Sequence, residues 1–428
     1  MSNLYIKAQT LTDIADAIRD KTGTSTTMTP SQMASAIGSI SGGDTTLEDG
    51  LITGTLSSYE NSRVSYVREY AFYVNNNLTT VNFPAATNIK YYAFYWCRSL
   101  TTASFPNVTS IGSHAFDGCD ALITASFPVA TTIRSYAFYD CDALTTANFP
   151  NVTNIENDAF YYCSTLTTVS FPFAENIGSD AFQQCYSLNT ISFPTVVTIG
   201  DSAFYSCRTL TIANFPNATT IGSSAFQSCS SLTTVSFPNV TDIRNNAFNS
   251  CRALTVANFP SATTIGNSAF WNCSALTTAN FSNATTIGSS AFYYCTELTT
   301  ISFPNATSIK SYAFYYCKSL TAVNFLNATY LEGSAFYSCI SLTTASFPNV
   351  TSIGGSAFRN CYNLLSLYLL GSSIPTLAGT NVFTSTPISS YTTSTGGVYG
   401  SIYVPASLYN SYLTATNWAT FSSRFVSV

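Results

Sequence analysis

Thirteen cysteines, one histidine and a short series of aspartates are the groups in this 428-residue chain with chemistry to offer. The cysteines stand at 97, 119, 141 and onward to 361, each 22 residues after the last. Thiols at regular spacing could form disulfides, ligate a metal or act as nucleophiles. A ladder of disulfides meets three objections: each thiol has two equivalent neighbours, the side chains point in parallel, and their number is odd. The expected state is a column of reduced, buried thiols packing as small hydrophobes. The C-x-x-C spacing of a zinc site is missing. His114 is a lone imidazole, so a nucleophile–base pair cannot be assembled around it. Asp117, Asp120, Asp140 and Asp142 fall on adjacent repeats and could ligate calcium, whose ligands are carboxylates. A solvated acidic patch is the expectation there. Glycoside hydrolysis needs two carboxylates across a cleft, and phosphate binding needs a glycine-rich loop. Neither pattern is present, so the chain is expected to be no enzyme and to carry no cofactor or metal.

Composition narrows the rest. Charged residues are 8% and aromatic residues 14%, with a net charge of −5 and no basic block. That balance gives no electrostatic footprint for nucleic acid or anionic lipid. The chain lacks a run of about 18 apolar residues, the length that spans a bilayer. The opening MSNLYIKAQT lacks the charged-then-apolar order of a secretion signal.

What must position these groups is a repeat. Around every cysteine, Phe lies three residues before and Leu three after. Asn75 fills the cysteine slot of one earlier repeat, between Phe72 and Leu78, and a degenerate start is visible at 56–67. About fourteen coils result, and a fixed period of this length predicts a solenoid. In LTTISF, residues 298–303, apolar residues at i, i+3 and i+5 give the LxxLxL-like strand of a leucine-rich repeat. Ile301 and Phe303 point inward by β alternation, and Pro304 ends the ladder. Ile287, Ala291, Phe292 and Cys295 complete an inward set of about eight positions per coil. At ~4.8 Å per coil the rod would be about 65 Å long. The Asn-X-Thr triplets, such as Asn107-Val108-Thr109, match a glycosylation acceptor but read as turn residues of the repeat.

Outward positions behave in two ways. The strand side is a monotonous strip of Thr, Ser and Asn. On the returning side, positions flanking Ala-Phe and Cys change from coil to coil. They supply Tyr91, Tyr92, Tyr95, Trp96, Tyr136, Tyr139, Tyr161, Tyr162, Trp271, Tyr293, Tyr294, Tyr312, Tyr315 and Tyr316. Tyr and Trp give rigid amphipathic contact area at low entropic cost, so this side is the expected binding surface, for sugar rings or protein. Tyr91, Tyr92, Tyr95 and Trp96 form one concentration, and Tyr293, Tyr294, Tyr312, Tyr315 and Tyr316 another.

With Ile, Ala-Phe, Cys, Leu and Phe-Pro in fixed places over roughly residues 50–370, the phrase resembles the BspA-type leucine-rich repeat of bacterial and phage surface proteins. Ser282 and Leu326 replace the proline and Leu331 the isoleucine, departures that should leave the coil intact. Residues 1–40 differ. LTDIADAIRDKTGTSTTMTPSQMASAIGSI holds two short amphipathic helical patterns and resembles the N-terminal segment of phage and prophage tail-fibre and minor tail proteins. The expected organisation is a helical attachment or oligomerisation segment at 1–40, a linker and N-terminal cap at 41–55, the solenoid at 56–365 and a C-terminal cap at 366–428. The resemblance implies a β-rich solenoid acting as a phage tail fibre. Residues 1–40 would bind tail or baseplate proteins, or build a homo-oligomer such as a trimer. The Tyr-rich face would bind a host bacterial surface polysaccharide or protein. Its location would be the virion. The alternative is a bacterial cell-surface adhesin, and a remote one is an ice- or crystal-binding Thr array.

Overall fold

A computed structural model describes residues 57–390 and 398–428. The expected segments at 1–40 and 41–55 lie outside the described residues. The chain is a β-solenoid in which each coil contributes two short strands, all paired in parallel. The two-residue strands, such as Thr286–Ile287, form one fifteen-stranded sheet from Tyr66–Val67 to Thr376–Leu377. Every pairing joins a residue to its counterpart one coil on, as Ile287 to Ile309. The three-residue strands lie on the opposite run of the coil, as in Thr300–Ser302.

Register this exact has a simple source. When the period is constant, every inward side chain lands on a copy of itself. Phe three residues before Cys stacks face to face with the next such Phe, centroids 5.0–5.3 Å apart from Phe72 to Phe336. A second column, from Phe83 to Phe347, meets the first edge to face, as Phe292 meets Phe303 at 5.7 Å. Both arrangements suit the aromatic quadrupole. Ala, Leu and Ile fill the remaining inward positions, and the residue between Asn and Thr of each triplet is the eighth, with Ala306 fully buried.

Backbone carbonyls between coils are satisfied by side chains as well as amides. Each of the thirteen cysteines is unbridged and buried. Each thiol donates to the carbonyl of the Phe one coil back, as Cys295 Sγ to Phe270 O at 3.1 Å. Thr hydroxyls on the strand side do the same, Thr299 Oγ1 reaching Thr277 O at 3.1 Å. Asn of the triplets donates to the carbonyl where the previous coil carries proline, as Asn327 Nδ2 to Pro304 O at 2.7 Å. Where Ser282 or Leu326 replaces proline the bond persists, from Asn305 at 2.8 Å and Asn349 at 2.7 Å. Only the carbonyl matters there, so the departures from the repeat are harmless.

The two sides of the rod are not equally continuous. The three-residue strands break into groups after Thr102–Ser104, Thr168–Ser170, Thr234–Ser236 and Thr300–Ser302, that is, after every third coil. At each break the Phe83–Phe347 column opens, to 5.8 Å for Phe105–Phe127 and 6.1 Å for Phe171–Phe193, against 5.3 Å for Phe149–Phe171. The opposite side keeps its spacing, so curvature is taken up in steps on the strand side alone.

The solenoid also continues one coil past the end of the clear repeat. Phe383, 25 residues after Phe358, stacks on it at 5.9 Å. Ser401–Val404 then pairs with Ser366–Tyr368, and Phe425–Ser427 with Ser401–Val404. Trp418 and Phe421 lie on Phe383, the indole N–H donating to Pro375 O at 2.8 Å. The Phe stack therefore ends under aromatic cover rather than in water.

Two outcomes follow from this packing. In native protein a thiol-reactive disulfide reagent should label none of the thirteen cysteines, and in denaturant all of them, counted by released chromophore. Phe226→Ala should cost about 3–5 kcal/mol in denaturant unfolding, because it removes a fully buried ring from mid-column.

Candidate functional site

The returning side of each coil is built on two residues with left-handed backbone. One precedes the invariant Ala and one precedes Cys, as Tyr92 (φ 56°) and Trp96 (φ 55°). The pattern holds down the rod, through Ser224 (57°) and Ser228 (63°) to Tyr312 (61°) and Tyr316 (63°). Such backbone suits Gly, Asn and Asp, and costs other residues ~1–2 kcal/mol. It accounts for Asn and Asp at these positions. It does not account for tyrosine and tryptophan, which are held there against their preference.

The rings form columns along the rod. In the first patch Tyr70, Tyr92, His114 and Tyr136 stack at 5.3, 4.6 and 4.6 Å. Beside them Tyr73 stacks on Tyr95 at 5.1 Å, and Tyr139 on Tyr161 at 5.0 Å. Trp96 lies parallel to Tyr95 at 5.7 Å and occupies the space over Gly118, where an added Cβ would collide with the indole. Tyr91 stands exposed at the edge, 5.8 Å from Tyr92, and Tyr162 is 6.4 Å from Tyr161. In the second patch Trp271, Tyr293, Tyr315 and Tyr337 stack at 6.1, 4.5 and 4.7 Å, with Tyr294 on Tyr316 at 4.7 Å and Tyr312 5.8 Å from Tyr315. Coils with Ser, Asn and Gln at these positions, including Ser224 and Gln227, separate the two patches.

All fourteen expected residues thus fall into two aromatic patches on one side. They are half-buried or exposed, and they are not free in water as separate groups: most lean on a neighbour. Aromatic contact area for sugar rings or protein was the expectation. The columns cover most ring faces and turn edges and hydroxyls outward. Sequence reading missed Tyr70, Tyr73 and Tyr337 as members. Their slots, one coil from an identified ring, were the available signal.

The electrostatics of the patches differ. His114 Nδ1 and Asp117 Oδ2 share a hydrogen bond of 2.7 Å. Burial pushes Asp117 up to about 6, against the lowering effect of that bond. Burial and then the nearby Asp158 and Asp201 carboxylates push Asp180 up to about 6. Burial, and in the first patch neighbouring carboxylates and tyrosines, raise Tyr92, Tyr95, Tyr139 and Tyr161, as well as Tyr293 and Tyr315 in the second. These phenols stay protonated and present O–H donors. Arg98 sits over Trp96 at 4.4 Å, Arg208 over Tyr186 at 5.1 Å and Lys318 over Tyr316 at 4.9 Å. Burial raises the thiols from Cys97, to about 12, through Cys339, so these buried groups offer no nucleophile. On the strand side the first Thr after the Leu donates its hydroxyl to the carbonyl one coil back, as in Thr101, Thr167 and Thr233.

The architecture and its Phe/Cys/Leu spine define a leucine-rich repeat solenoid. The sequence matches the BspA type leucine rich repeat region over residues 56–167, 153–277 and 285–397, and the chain belongs to that family. Among solved structures it is similar to a leucine-rich repeat protein from Bacteroides ovatus. They share 24% identity over 75% of this chain and 91% of the other, with a TM-score of 0.61. It is also similar to a leucine rich cell surface protein from Faecalibacterium prausnitzii (24% identity, 75% and 89% covered, TM-score 0.37). A leucine-rich repeat protein from Eubacterium ventriosum matches at 20% identity, with 75% and 84% covered and a TM-score of 0.39. No curated protein sequence matches.

Asp117 and Asp180 hold protons more tightly folded than unfolded, so their stabilising contribution is complete below about pH 4 and lost as pH rises through 6. Denaturation midpoints should therefore fall between about pH 4 and 7, and Asp117→Asn with Asp180→Asn should flatten that slope.

Proposed function

We propose that this chain is a bacterial surface recognition protein that binds a partner on another cell, a polysaccharide or a protein, through the two Tyr-rich patches. One observation carries the reading. Tyr92, Trp96, Tyr136, Tyr162, Tyr294, Tyr312 and Tyr316 occupy left-handed backbone positions on one side of a rod whose strand side is mainly a strip of Thr, Ser and Asn. Their cost to the fold is offset by stacking at ~0.5–1.5 kcal/mol per pair, and the ring edges and hydroxyls that remain outward suit recognition. Membership of the BspA-type family, whose repeats occur in bacterial and phage surface proteins, supports display outside a cell. It favours a bacterial surface over a virion, because it concerns the repeats themselves. The tail-fibre reading rests on residues 1–40 and their resemblance to phage tail segments. In that reading the same face would meet the host cell, and the N-terminal segment would meet the tail.

Replacing Tyr293, Tyr294, Tyr315 and Tyr316 together separates ring from hydroxyl. Ser at all four should abolish adherence to the target cells and lower the melting temperature by several degrees, since stacking is lost. Phe at all four should keep the melting temperature and weaken adherence at least tenfold, because the hydroxyls go and the columns stay. Unchanged adherence in both variants would move recognition away from this patch. Deleting residues 1–40 should leave adherence of the isolated rod intact. Its loss from purified virions, were the chain found there, would mark the tail-fibre form.

A further inference from the structure

The first patch is acidic and the second is not: residues 271–337, which span the second, hold Lys310 and Lys318 against Glu297 and Glu332. Residues 112–206 hold nine acidic residues and one arginine, whereas residues 207–360 hold three acidic and six basic ones. On the first patch Asp117, Asp120, Asp140, Asp142, Asp158 and Asp180 interleave with the ring columns. Asp117 takes the place of a ring between Tyr95 and Tyr139, and Asp158 follows Tyr136 in its column. Among the described residues Arg98 reaches Asp120 at 3.5 Å, and no cation lies at ion-pairing distance from Asp140 or Asp180. The chain also shows what these rings accept: Arg98 lies over Trp96 and Lys318 over Tyr316, each ring just before the Cys that the cation follows, and Arg208 lies over Tyr186 of the preceding coil. Arg98, Arg208 and Lys318 do so at 4.4, 5.1 and 4.9 Å.

We propose that the aromatic columns of the first patch are the docking surface for an arginine- or lysine-rich polypeptide segment laid along the rod. This rests on the reading that the Tyr-rich side is a recognition surface, and it names the partner's chemistry. Three features select that occupant. First, the carboxylates are recessed: Asp117 is 6% exposed, and Asp140, Asp158 and Asp180 are half-buried among rings. A guanidinium or ammonium on a long stem reaches them while its methylenes lie on ring edges, whereas an amine fixed to a sugar ring stands too far out. Second, rings beside carboxylates offer the cation both a π face or edge and a counter-charge. Burial and mutual repulsion already raise these carboxyl groups, so a bound cation relieves a cost present in the free rod. Third, a second copy fits poorly, since its basic stretch has far fewer surplus charges than this patch has carboxylates.

The test uses the full chain, titrated by calorimetry with an oligo-arginine peptide, an oligo-lysine peptide and an oligo-glutamine peptide of equal length. Both basic peptides should bind, weakening as salt rises, and oligo-glutamine should not. Asp140→Asn, Asp158→Asn and Asp180→Asn combined should lower affinity at least tenfold. Asn tolerates the left-handed backbone, so the fold should survive, which circular dichroism checks. The four Tyr→Phe changes in the second patch should leave peptide binding unaltered. Equal binding to the triple variant, equal binding of oligo-glutamine, tighter binding of a glucosamine oligomer, or salt-sensitive self-association abolished by the triple variant would each overturn the proposal. If the basic peptides fail while adherence still depends on the tyrosines, only the partner's chemistry is wrong. If adherence is indifferent to both patches, the recognition surface itself is misplaced.

Discussion

Identical coils in exact register are the constraint on which the molecule depends. If the inward letters of one coil fell out of register with those of the next, the Phe rings would leave their stacking distance and the thiols would lose the carbonyl they serve. The Phe carbonyl shows how tight the accounting is. Phe270 O accepts the Cys273 amide of its own coil at 3.2 Å and the Cys295 thiol of the next at 3.1 Å. Both lone pairs of a buried acceptor are used, and a residue without a donor in the cysteine slot would leave one idle. Cysteine is therefore more than a small hydrophobe here: it is a small hydrophobe with a donor.

The same accounting explains why the face can vary. At the left-handed positions the inter-coil bonds are backbone to backbone, such as Trp96 N to Asp117 O at 2.7 Å and Ser228 N to Asn249 O at 2.7 Å. Tryptophan and serine make the same bond at the same slot. The side chain is left to solvent and to its neighbours in the column, under one demand, positive φ. Packing dictates the spine, and the backbone ladder carries the outer turn whatever side chain it bears.

Most of the solenoid was legible in the sequence because its period is invariant and its inward letters are few. Phe292, Cys295 and Leu298 announce themselves by spacing alone, and the reduced state of the thiols followed from parity and symmetry. Three things were not legible. Ring orientation was hidden, because letters such as Tyr293 and Tyr315 one period apart do not say whether rings lie flat or stack. The coil that ends at Phe383 was hidden because its spacing widens to 25 residues, which period counting discards, although burial of Leu377 and Phe383 preserves the inward pattern. The left-handed backbone was hidden behind tyrosines and serines, which do not advertise it as glycine would.

The stepwise opening on the strand side shows how a repeat with uniform letters produces a non-uniform rod. The unbroken fifteen-stranded sheet and the Phe72–Phe336 column fix one side at constant rise. Any difference in ideal spacing between the two sides must then accumulate on the other. A hydrogen-bonded ladder cannot stretch evenly, since N–H···O bonds weaken steeply with misalignment. Mismatch is released when one rung yields and the next two re-form. Breaks after every third coil, each with its wider Phe–Phe step, are that release. The aromatic patches lie between the stiff sheet and the cysteine column, where the rise is held constant. Rings separated by one coil can stack there at 4.5–4.7 Å, a contact that the stepped side would interrupt. A surface that depends on several coils keeping one spacing is thus built on the side of the rod that keeps it.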